Sequence, residues 1–419
     1  MRRWVLRCAA LAVACTALAA CSSSSPGSGS SAAASGAASG VTSGAKTLTI
    51  GFVTDLTGVG ASAFTTTNLG LEAYLNHLNA SGGVDGYKIK YILADTTSTP
   101  TGALTAVQKL VQQDNVFAIL EDSSVFYGAE PWALSMGVPV VGSAIDGPYW
   151  GDPKDTNLFA ATGVSNEDYM NLADGQFMKS QGVTKCASIG YAGSPSSALA
   201  AEGFIKSCQA AGLTSGYINT QVPFGSTNVG PIALAIKNAG ADGVYLPIDP
   251  STAFGLVVAL NELGVKLKSA LLATGYGGDL LASPATVKAG QGVEFSTEGA
   301  PAEANTPAVK ERAAELATVG VTSDPTFAEQ EDFLTLTAFV AGLKAAGANP
   351  TKQSFMTALG KITNFNAGGL LAPEKISFHD YAPASSCLWV AKLTGEKFSD
   401  VAGTPICSQY VKFSNEATG

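Results

Sequence analysis

The sequence predicts an α/β protein made of two doubly wound, Rossmann-like lobes, and two observations carry that expectation. Short apolar or alternating stretches follow one another with helical ones between them, giving four strand–helix units before residue 145. A second series of similar build begins near Ser165, which suggests two lobes facing each other across a cleft.

The stretch KTLTIGFVT (Lys46 to Thr54) reads as the first strand. TNLGLEAYLNHLN follows as a helix with Leu71, Leu75 and Leu78 at helical spacing. Asn79 to Gly83 supplies the stop, polar residues and then glycines that tolerate positive φ. Val84 to Gly86 turns the chain into YKIKYILAD, which alternates Ile89, Tyr91 and Leu93 on one face. TPTGALTAVQKLVQQ begins a helix at Pro100 and Thr101 and is predicted to bury Leu104, Val107 and Val111. NVFAIL and VPVVGSA are short apolar strands of the kind buried in parallel sheets. In the second series the strands are Lys185 to Ala192, Asp242 to Ile248 and Ser269 to Tyr276. Helices are expected over Ala198 to Ala211, Val229 to Asn238 and Thr252 to Leu263. Helices near Pro307 to Val319 and Thr326 to Ala346, and a β-rich tail (EKISFHD, SSCLWVAKLTGEKFS), find a home if the chain visits each lobe more than once.

The first residues set the expected compartment. Arg2, Arg3 and Arg7 precede the apolar run Cys8 to Ala20, which is shorter than the roughly 20 residues a bilayer span needs and reads as an export signal over residues 1–20. The Arg2–Arg3 pair lacks the wider pattern of twin-arginine export. LAAC (Leu18 to Cys21) resembles the bacterial lipobox, which implies cleavage before Cys21 and lipidation of that residue. Residues 21–45 are rich in Ser, Gly and Ala and read as a flexible tether.

The formal charge is −9, and without the three leader arginines the remainder carries −12. So acidic a chain is a poor candidate for nucleic acid or an anionic membrane surface. Of seven cysteines, Cys186, Cys208, Cys387 and Cys407 remain beyond the leader and the lipid site. Local disulfides, Cys186 with Cys208 and Cys387 with Cys407, are expected in an exported chain. Free buried thiols and a four-cysteine zinc site are the alternatives, the latter without any C-x-x-C spacing.

The order of IGFVTDLTG, LNASGGVDGYKIKYILAD, Ser123–Ser124, GVPVVGSA, GADGVYLPI, ALLATGYGG and GGLLAPEKISF resembles the type I periplasmic binding proteins. The closest group is the branched-chain amino-acid (leucine-binding) receptors of ABC importers, and the resemblance covers nearly all of Leu48 to Ser399. It implies a Venus-flytrap fold of two lobes, residues 46–162 plus 300–370 and residues 163–299 plus 371–419. Three hinge crossings would join them, near Ala160 to Ser165, Glu294 to Ala300 and Gly368 to Pro373. It implies a monomer that binds a small solute by lobe closure and hands it to membrane permease subunits. A ligand sensor of the same fold, or a binder of amide or urea-type solutes, is the alternative.

The predicted strand tips carry glycines, hydroxyls, aromatics and a few carboxylates. Asp122, Ser123 and Ser124 fall at one tip, where the serines would open a helix and either cap it or hold a ligand. The resemblance places Ser143 and Ala144 in the loop that holds a ligand's carboxylate and amine ends, although no threonine stands at Ala144 and Asp146 follows. It aligns Ser196 or Ser197 with the family's usual aromatic, and Ala253 with an acid that Asp249 could replace. Asp249 could equally be a helix N-cap. Phe64, Tyr191 and Tyr276 are candidate apolar walls.

No enzyme is predicted. GSPSS (Gly193 to Ser197) is not G-x-S-x-G, GVDGYK is not a phosphate loop, and nothing distinguishes Asp55 from Asp95 as an acid–base pair. His77 and His379 share no motif, so neither a metal nor a cofactor is expected.

Overall fold

The structure, a computed structural model, describes residues 46–145, 150, 155–162, 169–378 and 386–412. The expected signal, Cys21, the tether, Asp146 and His379 lie outside the described residues.

The first sheet holds β1 (Lys46–Thr54), β2 (Tyr87–Asp95), β3 (Ile119–Asp122), β4 (Val140–Gly142) and β5 (Leu158–Ala160). All run parallel in the order β2-β1-β3-β4-β5. Helices α1 (Thr67–Ala80), α2 (Pro100–Gln112) and α3 (Glu130–Met136) connect them. Alternate residues of β1 serve opposite faces: Ile50 and Phe52 pack with Leu71 of α1, whereas Val53 packs with Val107 and Leu110 of α2. Both faces of the sheet are therefore covered, as parallel sheets require.

The link from α1 to β2 is fixed by side chain and backbone together. Gly83 takes φ +78°, and a Cβ there would come within 1.9 Å of the Tyr87 carbonyl oxygen. Asn79 accepts from the Ile89 amide at 2.9 Å and donates to the Ile89 carbonyl at 2.8 Å, stapling the helix end to the strand. Helix α2 starts where Thr99 accepts from the Gly102 amide with Pro100 at its first position. Its buried stripe is rotated from the predicted one. Ala103, Ala106, Val107 and Leu110 are buried, while Leu104 and Val111 are half-buried.

The next stretch supplies β6 (Tyr169–Asn171), α4 (Leu172–Ser180), β7 (Lys185–Tyr191), α5 (Pro195–Ala210), β8 (Thr214–Val222) and α6 (Gly230–Ala239). It continues through β9 (Gly243–Leu246), α7 (Pro250–Glu262), β10 (Ser269–Leu272), α8 (Gly278–Leu281), α9 (Pro284–Ala289) and β11 (Glu294–Thr297). The chain then returns to the first core with α10 (Pro307–Ala317), α11 (Phe327–Ala346) and α12 (Lys352–Leu359), whose Leu316, Phe339 and Phe355 join Ile50 and Phe52. It ends with β12 (Ser386–Thr394), β13 (Lys397–Asp400), β14 (Ile406–Ser408) and β15 (Tyr410–Lys412).

The second sheet runs β13-β12-β11-β10-β9-β7-β8, with β14 on β12, and β15 pairs separately with β6. β7 to β11 are mutually parallel, whereas β12, β13 and β14 add antiparallel. The disulfides pair as expected. Cys186 on β7 joins Cys208 on α5, and Cys387 on β12 joins Cys407 on β14.

The chain thus passes between the two sheets three times. The second passage starts at Glu298, just past β11, and is held to the first core by the Ala300 amide donating to the Leu370 carbonyl at 2.7 Å. Ile376 and Phe378 still pack in the first core, beyond the predicted crossing at Gly368 to Pro373. EKISFHD was expected to be a strand; among its described residues it makes one bridge, Ile376 to Phe365, because core packing of Ile376 and Phe378 wins over sheet pairing.

Candidate ligand-binding cleft

The two sheets share one strand order. β2-β1-β3-β4-β5 in the first is matched by β8-β7-β9-β10-β11 in the second, so the winding reverses between β1 and β3 and again between β7 and β9. In open α/β sheets a ligand sits in that crevice, beyond the carboxyl ends of the strands. Here both crevices open onto one cavity of about 140 Å³. Phe64 reaches it from the loop after β1, Ser124 from the loop after β3, Tyr191 from the end of β7 and Asp249 from the loop after β9. An apolar cavity of about 150 Å³ admits a benzene-sized molecule.

The first wall is organised by the buried Asp55. Its Oδ1 accepts from Thr96 Oγ1 at 2.5 Å and from Ser123 Oγ at 2.6 Å, and its Oδ2 accepts from the Ser124 amide at 3.1 Å and from Ser124 Oγ. A serine hydroxyl has one proton, so Ser124, which lines the cavity, has spent its donor on Asp55 and offers the ligand only a lone pair. The opposite wall repeats the arrangement. The Tyr191 hydroxyl donates to Asp249 Oδ2, and Asp249 Oδ1 accepts from the Thr252 amide at 3.0 Å as the N-cap of α7. Burial, and then the Asp249 carboxylate, push the Tyr191 phenol well above its ordinary value, which keeps that proton in place. Asp249 is thus both helix cap and cleft wall.

Of the residues singled out from sequence, Phe64, Ser124, Tyr191, Ser196, Ser197 and Asp249 line this cavity. Ser197 is also committed to the scaffold, accepting from the Tyr191 amide at 3.0 Å and donating to the Pro247 carbonyl at 2.5 Å. Asp122, Ser123, Ser143 and Ala144 are fully buried and do not line it. Ser143 Oγ turns to Asp122 Oδ1 at 3.3 Å, and Ala144 adopts φ +59°, a left-handed conformation that its small side chain tolerates. Ser123 and Ser124 do not open a helix. A 3-10 turn starts at Phe126 and α3 at Glu130, and Ser123 Oγ instead accepts from the Val125 amide at 3.2 Å. Tyr276 points away from this cavity, its hydroxyl donating to Glu303 Oε2 at 2.8 Å and accepting from the Ala302 amide at 3.0 Å.

Sequence reasoning missed Phe224, Phe327, Ile145, Tyr245 and Glu298, which also line the cavity. Tyr245 lies inside GADGVYLPI, Glu298 inside the expected crossing and Ile145 just past GVPVVGSA, but none had been marked as a site residue. Phe327 opens α11 and stacks edge-on against Phe64 with ring centroids 5.9 Å apart, a contact between segments far apart in the chain. Asp55 and Asp95 are not an acid–base pair. Asp95 ties down its own turn, accepting from the Leu56, Thr57 and Thr97 amides and from Thr57 Oγ1. Away from the cleft, His77 of α1 stands among Glu311 and Glu315 of α10, its Nε2 3.7 Å from Glu315 Oε1, a grouping that no local motif announced.

Two matched α/β halves with both switch points on one cavity define a two-lobed solute receptor. Residues 47–397 match the family model described as periplasmic binding protein, and the chain belongs to that family, in its type I, leucine-binding group. A curated relative, the Leu/Ile/Val-binding protein homolog 3 of Brucella melitensis, is 25% identical over 199 residues. That match spans 47% of this chain and 53%, about half, of the relative's length. Among solved structures, a solute-binding protein of an ABC transporter from R. palustris in complex with benzoate superposes with a TM-score of 0.70 at 18% identity, over 88% of this chain and 98% of that one. The branched-chain amino-acid transporter substrate-binding protein LivJ of Streptococcus pneumoniae, in complex with isoleucine, gives 0.69 at 19% identity over 88% and 100%. The similar proteins are transporter solute-binding proteins and not enzymes. The family works outside the cytoplasm, and no helix among the described residues is long and apolar enough to cross a membrane.

Proposed function

We propose that the chain is the solute receptor of an ABC importer, attached to the outer face of the cell membrane through a lipid on Cys21 and working as a monomer. Its lobes, residues 46–162 with 300–378 and residues 169–299 with 386–412, close on a small solute and present it to permease subunits. The observation that carries this reading is the single cavity shared by the two switch points, because a ligand there touches both sheets and favours the closed arrangement over the open one. Tyr127 supports it, donating its hydroxyl to the Gly193 carbonyl across the mouth between the two halves. Isoleucine and benzoate, held by the two similar structures, are alike in size and set the scale of solute proposed for this cavity.

The ligand contacts we assign are Phe64, Ser124, Tyr191, Ser196 and Asp249, with Phe224 and Phe327 as further walls. A thermal-shift screen of the purified chain against amino acids, amides, urea, amines and small organic acids tests the reading. A genuine solute raises the melting temperature with occupancy. A flat response across the whole panel would remove the case for a solute receptor. Replacement of Cys21 by Ala should move the protein from the membrane fraction to the soluble fraction and abolish lipid labelling.

A further inference from the structure

Next to the cavity described above lies a second chamber of about 130 Å³ that shares Ile145, Ala200, Tyr245 and Glu298 with it. The two are lined in opposite ways. The first is walled by aromatic rings, Phe64, Tyr191, Phe224 and Phe327 among them. The second gathers three carboxylates, Asp174 from the first turn of α4, Glu298 from the passage after β11, and Glu374 from the segment before β12. Glu374 is 6% exposed, and its Oε2 accepts from the Cys387 amide at 3.0 Å, but its Oε1 has no hydrogen-bond partner. A buried carboxylate oxygen left in that state is costly unless something supplies a donor. Among the described residues lining either chamber there is no lysine, arginine or histidine.

We propose that this acidic chamber receives the cationic end of the solute, an organic amine or amidine whose apolar body fills the aromatic chamber. The inference rests on the reading of the cleft as a solute site and names the class of solute. The hydroxyls agree with it. Ser124 and Tyr191 have both given their protons to carboxylates, so these two hydroxyls present acceptors to a ligand that donates. An aromatic or aliphatic carboxylate would meet no cation and at least three acids. A bare metal ion does not fit either. The described residues that gather within metal-ligand reach of one another are His77, Glu311 and Glu315, none of which lines this chamber, whereas its three acids do not come within that reach of one another. Burial, with the Glu298 charge acting on both, holds Asp174 and Glu374 up to about 7. Glu298 is open to water within the cleft, so it can meet a ligand entering from the aromatic side. Aromatic rings beside the entrance favour a cation as well.

Calorimetry and thermal shift with four probes of matched shape, benzylamine, benzamidine, benzamide and benzoate, test this on the purified chain at neutral pH. The two cations should bind and raise the melting temperature, with the amide weaker and benzoate silent. Glu298→Gln and Glu374→Gln should each weaken benzylamine about tenfold or more and narrow its advantage over benzamide. If Glu374→Gln melts too early to assay, Glu298→Gln, whose side chain reaches solvent, carries the comparison. Benzamide or benzoate binding as tightly as benzylamine, or benzylamine affinity unchanged in the variants, would overturn the cationic-solute proposal and leave the receptor reading intact. Silence from all four probes overturns this proposal, and the receptor reading falls with it only if the broad panel is silent too.

Discussion

Asp242 shows how one carboxylate can tie together the starts of two neighbouring strands, β7 and β9. It stands just before β9 and accepts from the Thr184 and Lys185 amides at 2.8 Å each, from Thr184 Oγ1 at 2.8 Å, and pairs with Lys268 Nζ at 2.9 Å. Partial burial pushes its carboxyl upward, but Lys268 and these hydrogen bonds win and hold it well below the usual carboxylate range. Asp242→Ala leaves two backbone amides without a partner and should cost about 1–3 kcal/mol, read as a lower denaturation midpoint at unchanged slope. Gly60 makes a sharper point at the cleft. A Cβ there would stand 2.9 Å from Asp55 Oδ2 and 3.2 Å from Ser124 Oγ. Gly60→Ala should therefore displace the Asp55–Ser124 pair and weaken solute binding by about tenfold. The melting temperature of the unliganded protein should change little, because the strained contact lies in a loop. A wild-type affinity would show that the Asp55 network does not shape the site.

At the scale of elements, α11 and the disulfides carry the clearest consequences. Helix α11 is buried along most of its length and begins with a capping box, Thr326 Oγ1 accepting from the Glu329 amide at 3.3 Å and Glu329 Oε2 from the Thr326 amide at 2.8 Å. Thr326→Ala should cost about 1 kcal/mol and loosen Phe327, the next residue and a cleft wall. The two disulfides should part under mild reduction in a fixed order. Cys407 is exposed, whereas Cys186 and Cys208 are fully buried, so thiol attack reaches the Cys387–Cys407 bond first. Alkylation with peptide mapping should find Cys387 and Cys407 labelled before the other pair. Elements with strong local signals were readable in advance. β1 and β2 match their expected bounds, and α1 differs by one residue, since periodicity and the glycine stop act over a few residues. β8 was missed because, as an edge strand with polar TSGYINTQV, it buries almost nothing. The cleft divides in the same way. Tyr191 and Asp249 were legible as strand tips and Phe224 was lost with β8, whose tip it follows, but Phe327 and Glu298 reach the cavity only through the path of the chain between sheets, which no window of sequence displays.

The molecule buries many acids, and that sets how stability should vary with pH. Besides Asp174 and Glu374, burial drives Glu331 and Asp332 of α11 well above the usual carboxylate values, Glu331 raised further by Glu298 and then Asp122, Asp332 by Asp122. The buried Arg312 is the cation that partly offsets Glu331, and burial in turn lowers its own pKa to about 10. Tyr245 and Tyr410, which face the acidic chamber, are pushed up by the same burial and charges and stay neutral throughout. A carboxyl raised in the folded state binds its proton more tightly there than in the unfolded chain. Its stabilising contribution is complete below the unfolded value, near 4, and is lost as pH climbs through the folded value, about 7 for Asp174 and Glu374. Asp95 and Asp242 behave in the opposite sense. Both are lowered on folding, so what they contribute is present above the unfolded value and disappears as pH falls below about 4. The two trends bracket a maximum near pH 5, with the melting temperature falling by several degrees between about pH 5 and pH 7.5. A cation seated among Asp174, Glu298 and Glu374 would stabilise their ionised forms and flatten that decline. Melting curves with and without saturating benzylamine should therefore converge at pH 5 and separate towards pH 7.5. A melting temperature that instead rises steadily from pH 5 to 7.5 in the unliganded protein would mean that these acids are already compensated in the folded chain.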